Sequence, residues 1–346
     1  MKIIKLLYMK VNQVFLIILF FISHHLKGQQ QMDYNRIEKT LRWSLEHSPR
    51  SLEIDQTVLK EHPERIHQER VDFIKNNPVA IPKDITVKDL FFKSSLDAEL
   101  IRIHVYQPND YIQNRVILYF HGGGYVFGLP EQVDAQMFRL ARDLKAVILS
   151  VDYRLAPQYP FPIPIQDGYD ALSWIIKNGP EQLNIKTDSI TLFGISAGGH
   201  LAAAVTQMTV DQGLAGIKQQ VLIYPVIHNR LNTASMNEFT DSPLWNKGYA
   251  EIAWAHFLGS ENLGKSLKYA DLLNYDQVSK LPETTIVACE LDPLRDEGIE
   301  YASLLLRAGV KTELWVIPGA VHVFDLFESN LTETYYEFLL KKLSQS

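Results

Sequence analysis

Short apolar runs alternate with helix-spaced segments from residue 84 onward, and this alternation constrains the fold more than any other feature. Most of the apolar runs are followed by a stretch in which apolar residues recur at helical spacing. Such an alternation predicts an α/β fold with a mostly parallel central sheet and helices on both faces. The predicted strands are Val87–Phe92, Leu100–Tyr106, Val116–Phe120, Ala146–Val151, Ile190–Phe193, Val221–Tyr224, Thr285–Cys289 and Thr312–Ile317. The predicted helices are Val133–Leu144, Ile165–Lys177, Ala197–Thr209, Glu297–Arg307 and Thr332–Leu343.

Two segments depart from this alternation and are expected to carry additional helices. Residues 229–273 contain no predicted strand and are too long for an ordinary loop, so we expect helices there, for example around Tyr249–Phe257. Residues 33–76 are polar and charged. They contain two sets of residues that recur every four positions, Ile37, Leu41 and Leu45, and then Ile66, Arg70 and Ile74.

The first 28 residues form a separate segment. Lys2, Lys5 and Lys10 precede the unbroken apolar run Val14–Ile22, and a basic start followed by a short apolar run is typical of a secretory signal peptide. The run is short for a membrane-spanning helix. We therefore predict a signal peptide over 1–28, cleavage after Gly28, and a secreted or periplasmic protein. A membrane anchor, if cleavage fails, and a buried N-terminal helix are the alternatives.

Charge and cysteine content exclude several classes of site. The chain has 34 Lys and Arg against 40 Asp and Glu, a net charge of −6, with no basic block, so a nucleic-acid partner is not expected. Cys289 is the single cysteine, which excludes an intrachain disulfide framework, a Cys-rich zinc site and an iron–sulfur cluster.

The most specific motif is Gly194-Ile195-Ser196-Ala197-Gly198-Gly199, between a predicted strand and an Ala-rich predicted helix. This strand–turn–helix context is typical of a nucleophile elbow. Gly194 and Gly198 flank Ser196 because side chains there would clash in so tight a turn. Ser196 would then project from the sheet edge at a helix N-terminus. The alternative is a glycine-rich turn that only packs the helix on the strand.

A second motif, His121-Gly122-Gly123-Gly124, directly follows the strand Val116–Phe120. Successive glycines expose backbone N–H groups that could hold the oxyanion of a tetrahedral intermediate. A flexible loop or a phosphate cradle are the alternatives. A phosphate cradle would require a Lys and a Ser or Thr after the glycines, and here Tyr125, Val126 and Phe127 follow.

A nucleophilic serine requires a base and an acid that orients the base. His322 follows the last predicted strand, and Asp292 follows the strand that ends at Cys289. Both would emerge at the same sheet edge as Ser196, where open α/β sheets place their sites. The chain order Ser, Asp, His is the order expected of α/β-hydrolases. We choose Asp292 over three rival acids, Glu290, Asp296 and Glu297.

Four blocks in this order make the chain resemble the hormone-sensitive-lipase-like (family IV) serine esterases of the α/β-hydrolase superfamily. The blocks are His121–Gly124, Val151–Pro157, Gly194–Gly199 and Asp292–Gly298, and the resemblance extends from about Asp84 to the C-terminus. It implies an α/β-hydrolase fold over 84–346 with a helical cap. The cap would be built from residues 29–83 and from an insertion at about 226–273.

The resemblance also implies the roles of the site residues. Ser196 would be the nucleophile, His322 the base and Asp292 its orienting acid, with oxyanion N–H groups from Gly123, Gly124 and Ala197. Two residues of the second block, Asp152 and Arg154, are interpreted as structural. The chain departs from many members of the family at three places, which bear on specificity more than on catalysis: Ile195, His200 and Val323-Phe324.

The implied activity is hydrolysis of short-chain acyl esters through an acyl-enzyme, with a small-molecule substrate and no metal or cofactor. Export would suit an acetyl esterase acting on sugar or polysaccharide acetates, which we hold as a hypothesis. The same triad would serve an amidase, formamidase or lactonase. A non-catalytic binding protein of this fold is a further alternative, although such a protein would not require the complete set of catalytic residues. Family analogy allows a homodimer through the sheet edge near the C-terminal helix.

Overall fold

The computed structural model describes residues 32–47 and 54–344. The described residues from Tyr34 onward form one compact unit. The predicted signal peptide, residues 1–28, lies outside the described residues. Across the described ranges, no helix combines the length and the apolar character needed to span a bilayer.

Eight strands form one sheet, and each of the eight predicted strands is present with its ends moved by a few residues. The spatial order is β1-β2-β4-β3-β5-β6-β7-β8. The pairs β1/β2 and β2/β4 are antiparallel, and the other neighbours are parallel. The predicted α/β class with a mostly parallel sheet is therefore confirmed. The strands are β1 Ile85–Lys93, β2 Leu100–Pro108, β3 Val116–Phe120, β4 Val147–Asp152, β5 Ile190–Ile195, β6 Ile217–Ile223, β7 Glu283–Leu291 and β8 Thr312–Val321.

Ten α-helices are described, and they cover both faces of the sheet. They are α1 Lys39–His47, α2 Gln56–Glu61, α3 Pro63–Asn76, α4 Asp134–Leu144, α5 Ile163–Leu183, α6 Ala197–Gln212, α7 Ala234–Glu238, α8 Lys247–Leu258, α9 Arg295–Arg307 and α10 Asn330–Leu343. The central strands β3 and β5 are buried at every residue, which explains why β3 is an unbroken apolar run and why Thr191 is the one polar residue of β5. In α6 every residue from Ala197 to Thr209 is buried, so only small or apolar side chains fit along most of it.

Helices α2, α3 and α8 form a cap. Asp55 caps α2 by accepting from the backbone N–H groups of Thr57 and Val58. The Tyr249 hydroxyl donates to the Ile54 carbonyl at 2.6 Å, which ties α8 to the residues before α2. A ring nitrogen of His256 lies 2.9 Å from the carbonyl of Leu59, which is fully buried. The insertion after β6 thus carries helices, as predicted.

Helix α1 lies away from this cap. It packs against α10, and the backbone N–H of Glu38 donates to the Gly319 carbonyl at 3.0 Å. The Ser44 hydroxyl donates to the carbonyl of Glu328. The segment predicted as N-terminal cap helices, residues 29–83, is therefore divided between two places because α1 finds its apolar partner at the β8 side of the sheet.

Arg154 braces the loop after β4, as predicted. Its guanidinium binds the buried carboxylate of Asp167 in α5 at 2.7 and 2.9 Å and donates to Ser94 at 3.0 Å. The other structural candidate, Asp152, accepts from Arg102 of β2 at 2.9 Å. These contacts hold the loop that follows β4 against β2 and α5.

Candidate active site

Ser196 stands at a strained turn between β5 and α6. Its backbone has φ 58° and ψ −121°, in the left-handed half of φ space that non-glycine residues rarely adopt. A Cβ atom on Gly194 would lie 2.1 Å from the Gly198 carbonyl oxygen, and one on Gly198 would lie 2.1 Å from the Phe120 carbonyl oxygen. Only glycine fits at either position, which is the geometry that the elbow motif predicts.

The three predicted catalytic side chains form a hydrogen-bonded chain at the carboxyl ends of β5, β7 and β8. The Ser196 hydroxyl lies 2.9 Å from Nε2 of His322, and Nδ1 of His322 lies 2.7 Å from Oδ2 of Asp292. All three residues are buried. Because a carboxylate only accepts, we assign the imidazole proton to Nδ1, which leaves Nε2 free to accept from the serine hydroxyl.

Asp292 is itself fixed, because its Oδ1 accepts from the backbone N–H of Leu294 at 2.9 Å. The rival acids have other partners. Glu290 binds Arg36 and Gly319 N–H, Asp296 binds Ser235 N–H, and Glu297 binds Ile227 N–H.

The Gly122–Gly124 loop lies against the elbow. A Cβ on Gly122 would approach the Ser196 Cβ to 3.5 Å, while Gly123 and Gly124 adopt φ of +130° and +57°. The backbone N–H groups of Gly123, Gly124 and Ala197 meet no hydrogen-bond acceptor within the described ranges. Unpaired donors beside the nucleophile are what an oxyanion hole requires.

His121 supports this loop from below. Its Nδ1 lies 2.9 Å from the Gly122 carbonyl, and the Tyr153 hydroxyl donates to the His121 carbonyl at 2.7 Å. The Tyr153 ring stacks on the imidazole at 4.3 Å between centroids. Complete burial lowers the pKa of His121 to about 4, so the imidazole is neutral at neutral pH.

A second group of residues lies around His322, and of these the sequence analysis missed Tyr224 and Asp325. The Tyr224 ring meets the imidazole edge-on at 4.7 Å, and the Trp245 ring lies 5.8 Å away. The Tyr224 hydroxyl donates to Oδ1 of Asp325 at 2.6 Å, and burial raises the pKa of the Asp325 carboxyl. Tyr224 directly follows β6, at the same sheet edge as Ser196, and that position is the signal that could have identified it.

A pocket of about 320 Å³ opens above Ser196. Phe127 and Trp245 line the pocket, whereas Tyr125 and Trp254 do not line it and are buried in the core. The cap contributes Ile54, Arg70, Phe73 and Ile74, and the region after His322 contributes Val323, Asp325, Leu326 and Phe327.

The three departures from the family pattern have different locations. Ile195 and Val323 line the pocket, so both shape its wall. Val323 has φ 54°, where glycine would fit without strain and a β-branched residue does not. His200 lies in the core instead, with Nε2 3.2 Å from the Ala270 carbonyl, and burial lowers its pKa to about 4.

Over residues 32–47 and 54–344, no group of three or more His, Cys, Asp or Glu side chains is arranged to hold a metal ion.

The chain was compared with known proteins. A family model described as alpha/beta hydrolase fold matches residues 117–326. The arylesterase of Saccharolobus solfataricus is 34% identical over 252 residues, which cover 71% of this chain and 79% of the relative. The ethyl acetate hydrolase of Pseudomonas putida is 32% identical over 241 residues, which cover 68% of this chain and 75% of the relative.

A solved esterase structure also matches this chain over most of its length. A bacterial heroin esterase superposes with a TM-score of 0.83 at 30% identity, over 90% of this chain and 98% of its own. Similarity therefore extends beyond the four motif blocks to most of the chain.

Proposed function

Since the chain belongs to the hormone-sensitive-lipase-like group of the α/β-hydrolase fold family and is a carboxylic ester hydrolase, we propose that it is a serine esterase acting on short-chain acyl esters. The observation that carries the proposal is the hydrogen-bonded chain from Ser196 through His322 to Asp292 at the floor of a pocket. A glycine-rich turn that only packed the helix on the strand would not require these partners.

Acylation begins when Oγ of Ser196 attacks the ester carbonyl carbon and its proton passes to Nε2 of His322. The carbonyl π electrons move to the carbonyl oxygen, which accepts hydrogen bonds from the N–H groups of Gly123, Gly124 and Ala197. The C–O bond to the leaving group then breaks, and the alcohol departs with the proton held by His322. The acyl group remains bonded to Ser196.

Deacylation repeats these steps with water as the nucleophile. His322 takes a proton from water, the hydroxide adds to the acyl carbon, and the bond to Oγ breaks as His322 returns the proton to Ser196. The carboxylate of Asp292 keeps the imidazole oriented and stabilises its charged form. It does not itself take a proton.

The test is hydrolysis of 4-nitrophenyl esters from acetate to laurate by residues 29–346, with Ser196→Ala beside the parent. We expect activity that falls as the acyl chain lengthens, as the resemblance to the family implies, and that is lost in the variant. Activity equal in both proteins would contradict the assignment of Ser196. Absence of activity on every ester would lead next to amides and lactones, which the same triad could cleave.

For the natural substrate, we propose acetyl esters of sugars or polysaccharides. The proposal is supported by the leader pattern at the N-terminus and by a pocket suited to a small acyl group. Acetylated xylan oligomers, compared with 4-nitrophenyl acetate, provide the test. Release of acetate from the nitrophenyl ester alone would contradict it.

We also propose that the protein is exported. Expression of the full chain, followed by fractionation and mass spectrometry of the N-terminus, should give a chain that begins at Gln29 outside the cytoplasm. A membrane-bound chain that retains residues 1–28 would instead indicate an anchor. The predicted homodimer is tested on the same material by sedimentation.

A further inference from the structure

Arg70 places a positive charge in the wall of the pocket. It lies on α3 of the cap, three and four residues before Phe73 and Ile74, and all three residues line the pocket. The Arg70 side chain is half-buried, and its guanidinium carbon lies 6.0 Å from the centre of the Phe127 ring. Placing an arginine on the pocket side of a helix costs free energy, because a buried charge without a partner loses its hydration.

The structure provides no anionic partner for this charge. Within the described part of the chain, Arg70 forms no salt bridge and donates no hydrogen bond. Burial lowers the pKa of its guanidinium, and its sequence neighbour Glu69 exerts only a weaker opposite effect. Glu69 instead binds Arg65, one turn earlier on α3, at 2.9 Å.

Other half-buried arginines among the described residues have polar partners: Arg42 and Arg115 donate to backbone carbonyls, and Arg102 and Arg154 bind carboxylates. Arg102 contacts Glu131 and Asp152, and Arg154 contacts Asp97 and Asp167. Arg70 differs from these arginines because it has no polar partner in the ranges that the structure describes. Buried charges without a partner are rare in proteins, and a bound ligand of opposite charge can supply the missing partner.

Arg70 is the only arginine or lysine among the described residues that line the pocket. The other ionisable lining groups are His322, the two tyrosines Tyr119 and Tyr224, and Asp325. The Asp325 carboxyl already accepts from the Tyr224 hydroxyl at 2.6 Å, and it forms no ion pair with Arg70. Phe73 and Leu326 at the pocket wall are 57% and 49% exposed.

We propose that Arg70 is a specificity residue that selects esters bearing an anionic oxygen group, of which a carboxylate is the simplest. This inference rests on the proposed function, since it names the class of ester that the Ser196 site prefers. The planar guanidinium can donate two parallel hydrogen bonds to a carboxylate. The apolar walls would hold the hydrocarbon between that carboxylate and the ester carbonyl. An acetylated uronic acid would satisfy both this inference and the sugar-acetate proposal.

The test compares matched pairs of esters that differ only in charge. On the acyl side, the mono-4-nitrophenyl esters of succinic, glutaric and adipic acid are used. Each is compared with the mixed diester in which its free carboxylate is methylated and the 4-nitrophenyl ester is kept. On the leaving-group side, 4-acetoxybenzoate is compared with methyl 4-acetoxybenzoate. The readout is the preference, the ratio of kcat/KM for the anionic ester to kcat/KM for its neutral partner. The two arms distinguish an anion carried by the acid from one carried by the alcohol.

We expect Arg70→Met to lower the preference by about tenfold to a hundredfold in at least one arm, mainly through KM, because a hydrogen bond to a charged group is lost. Methionine retains most of the packing against Phe127. Arg70→Lys should restore part of the preference, because it restores the charge without the planar fork. Arg65→Gln, which removes a paired arginine of the same helix that does not line the pocket, is the control and should leave the preference unchanged.

An equal effect of Arg70→Met on anionic and neutral esters in both arms would overturn the inference and assign Arg70 to packing. Hydrolysis of the neutral esters by the parent but not by Ser196→Ala would then still support the proposed function. As a readout independent of turnover, the mono-4-nitrophenyl half-esters should bind Ser196→Ala more tightly than the Ser196→Ala, Arg70→Met double variant in calorimetry. Equal binding would also count against the inference.

Discussion

At the scale of single residues, the side chains of Asp292 and His322 are each held in place by named partners. Asp292 has one oxygen on His322 and the other on the backbone N–H of Leu294, so it cannot rotate away from the imidazole. His322 in turn is packed by the rings of Tyr224 and Trp245. A base held on both sides is ready to accept the serine proton without first reorganising.

Replacement of Asp292 tests this arrangement. In Asp292→Asn the amide can donate to Nδ1, which favours the tautomer with the proton on Nε2, and that tautomer cannot accept from Ser196. We expect kcat on 4-nitrophenyl acetate to fall about ten-thousandfold while the fold is retained. Steady-state kinetics and circular dichroism provide the measurement.

The control is Glu290→Gln, a carboxyl from the same strand end that binds Arg36 and the Gly319 N–H instead of His322. Its kcat should remain within a few-fold of the parent. If Glu290→Gln lost as much activity as Asp292→Asn, the choice between these two acids would be wrong.

At the scale of elements, the site depends on how closely β3, β5 and α6 approach one another. A Cβ atom on Gly198 would lie 2.1 Å from the carbonyl oxygen of Phe120 and 2.4 Å from that of His121. This contact holds the strand that carries the glycine loop against the helix that begins after Ser196. The spacing of the oxyanion donors therefore depends on a residue with no side chain.

Gly198→Ala should force the two backbones apart and lower kcat/KM by about a hundredfold, because displacements near 1 Å have effects of that size. It should also lower the melting temperature. Gly213→Ala, at the other end of α6, is the matched control: Gly213 has φ +66° with open space around it. We expect that control to cost about 1 kcal/mol of stability and to leave kcat/KM intact. Similar activity in the two variants would contradict this account of the elbow.

At the scale of the whole molecule, a buried carboxyl links the helix after Asp292 to the chain that leads into the cap insertion. Glu297 is fully buried in α9, and its Oε2 accepts from the backbone N–H of Ile227 at 3.0 Å. Burial raises the pKa of Glu297 from an ordinary 4.5 to about 8. Folding therefore protonates this group over much of the neutral range.

The sign of the resulting pH dependence is fixed by proton linkage. Between about 4.5 and about 8 the folded chain holds a proton that the unfolded chain releases, so the free energy of unfolding falls as pH rises through this window. The loss approaches about 1.4 kcal/mol per pH unit for one group. Glutamine cannot ionise, so Glu297→Gln should show a shallower fall.

Urea unfolding near pH 5 and near pH 8, at either end of that window, measures the difference. Glu251→Gln, which removes an exposed carboxylate from α8, is the control. Parallel pH profiles for the parent and Glu297→Gln would show that Glu297 does not titrate in this range.

The sequence by itself determined the sheet and the residues that meet at its edge. Each strand and major helix could be predicted because a two-sided buried strand must be apolar and a covering helix must repeat at its own period. Ser196, His322 and Asp292 could be predicted because each follows a parallel strand, and parallel strands end at one edge. These features are local in the chain or follow directly from strand direction.

Only the tertiary structure decided what surrounds that chemistry. The pocket wall combines Ile54 and Arg70 of the cap with Trp245 of the insertion and Val323 beside the catalytic histidine, four places far apart in the chain. Their meeting depends on helix packing, which leaves no fixed spacing in the sequence. The separation of α1 from the cap, and the unpaired charge of Arg70 on an otherwise apolar face, follow from the same cause. The shape of the pocket is therefore set by long-range packing, whereas the meeting of Ser196, Asp292 and His322 follows from the direction of the strands.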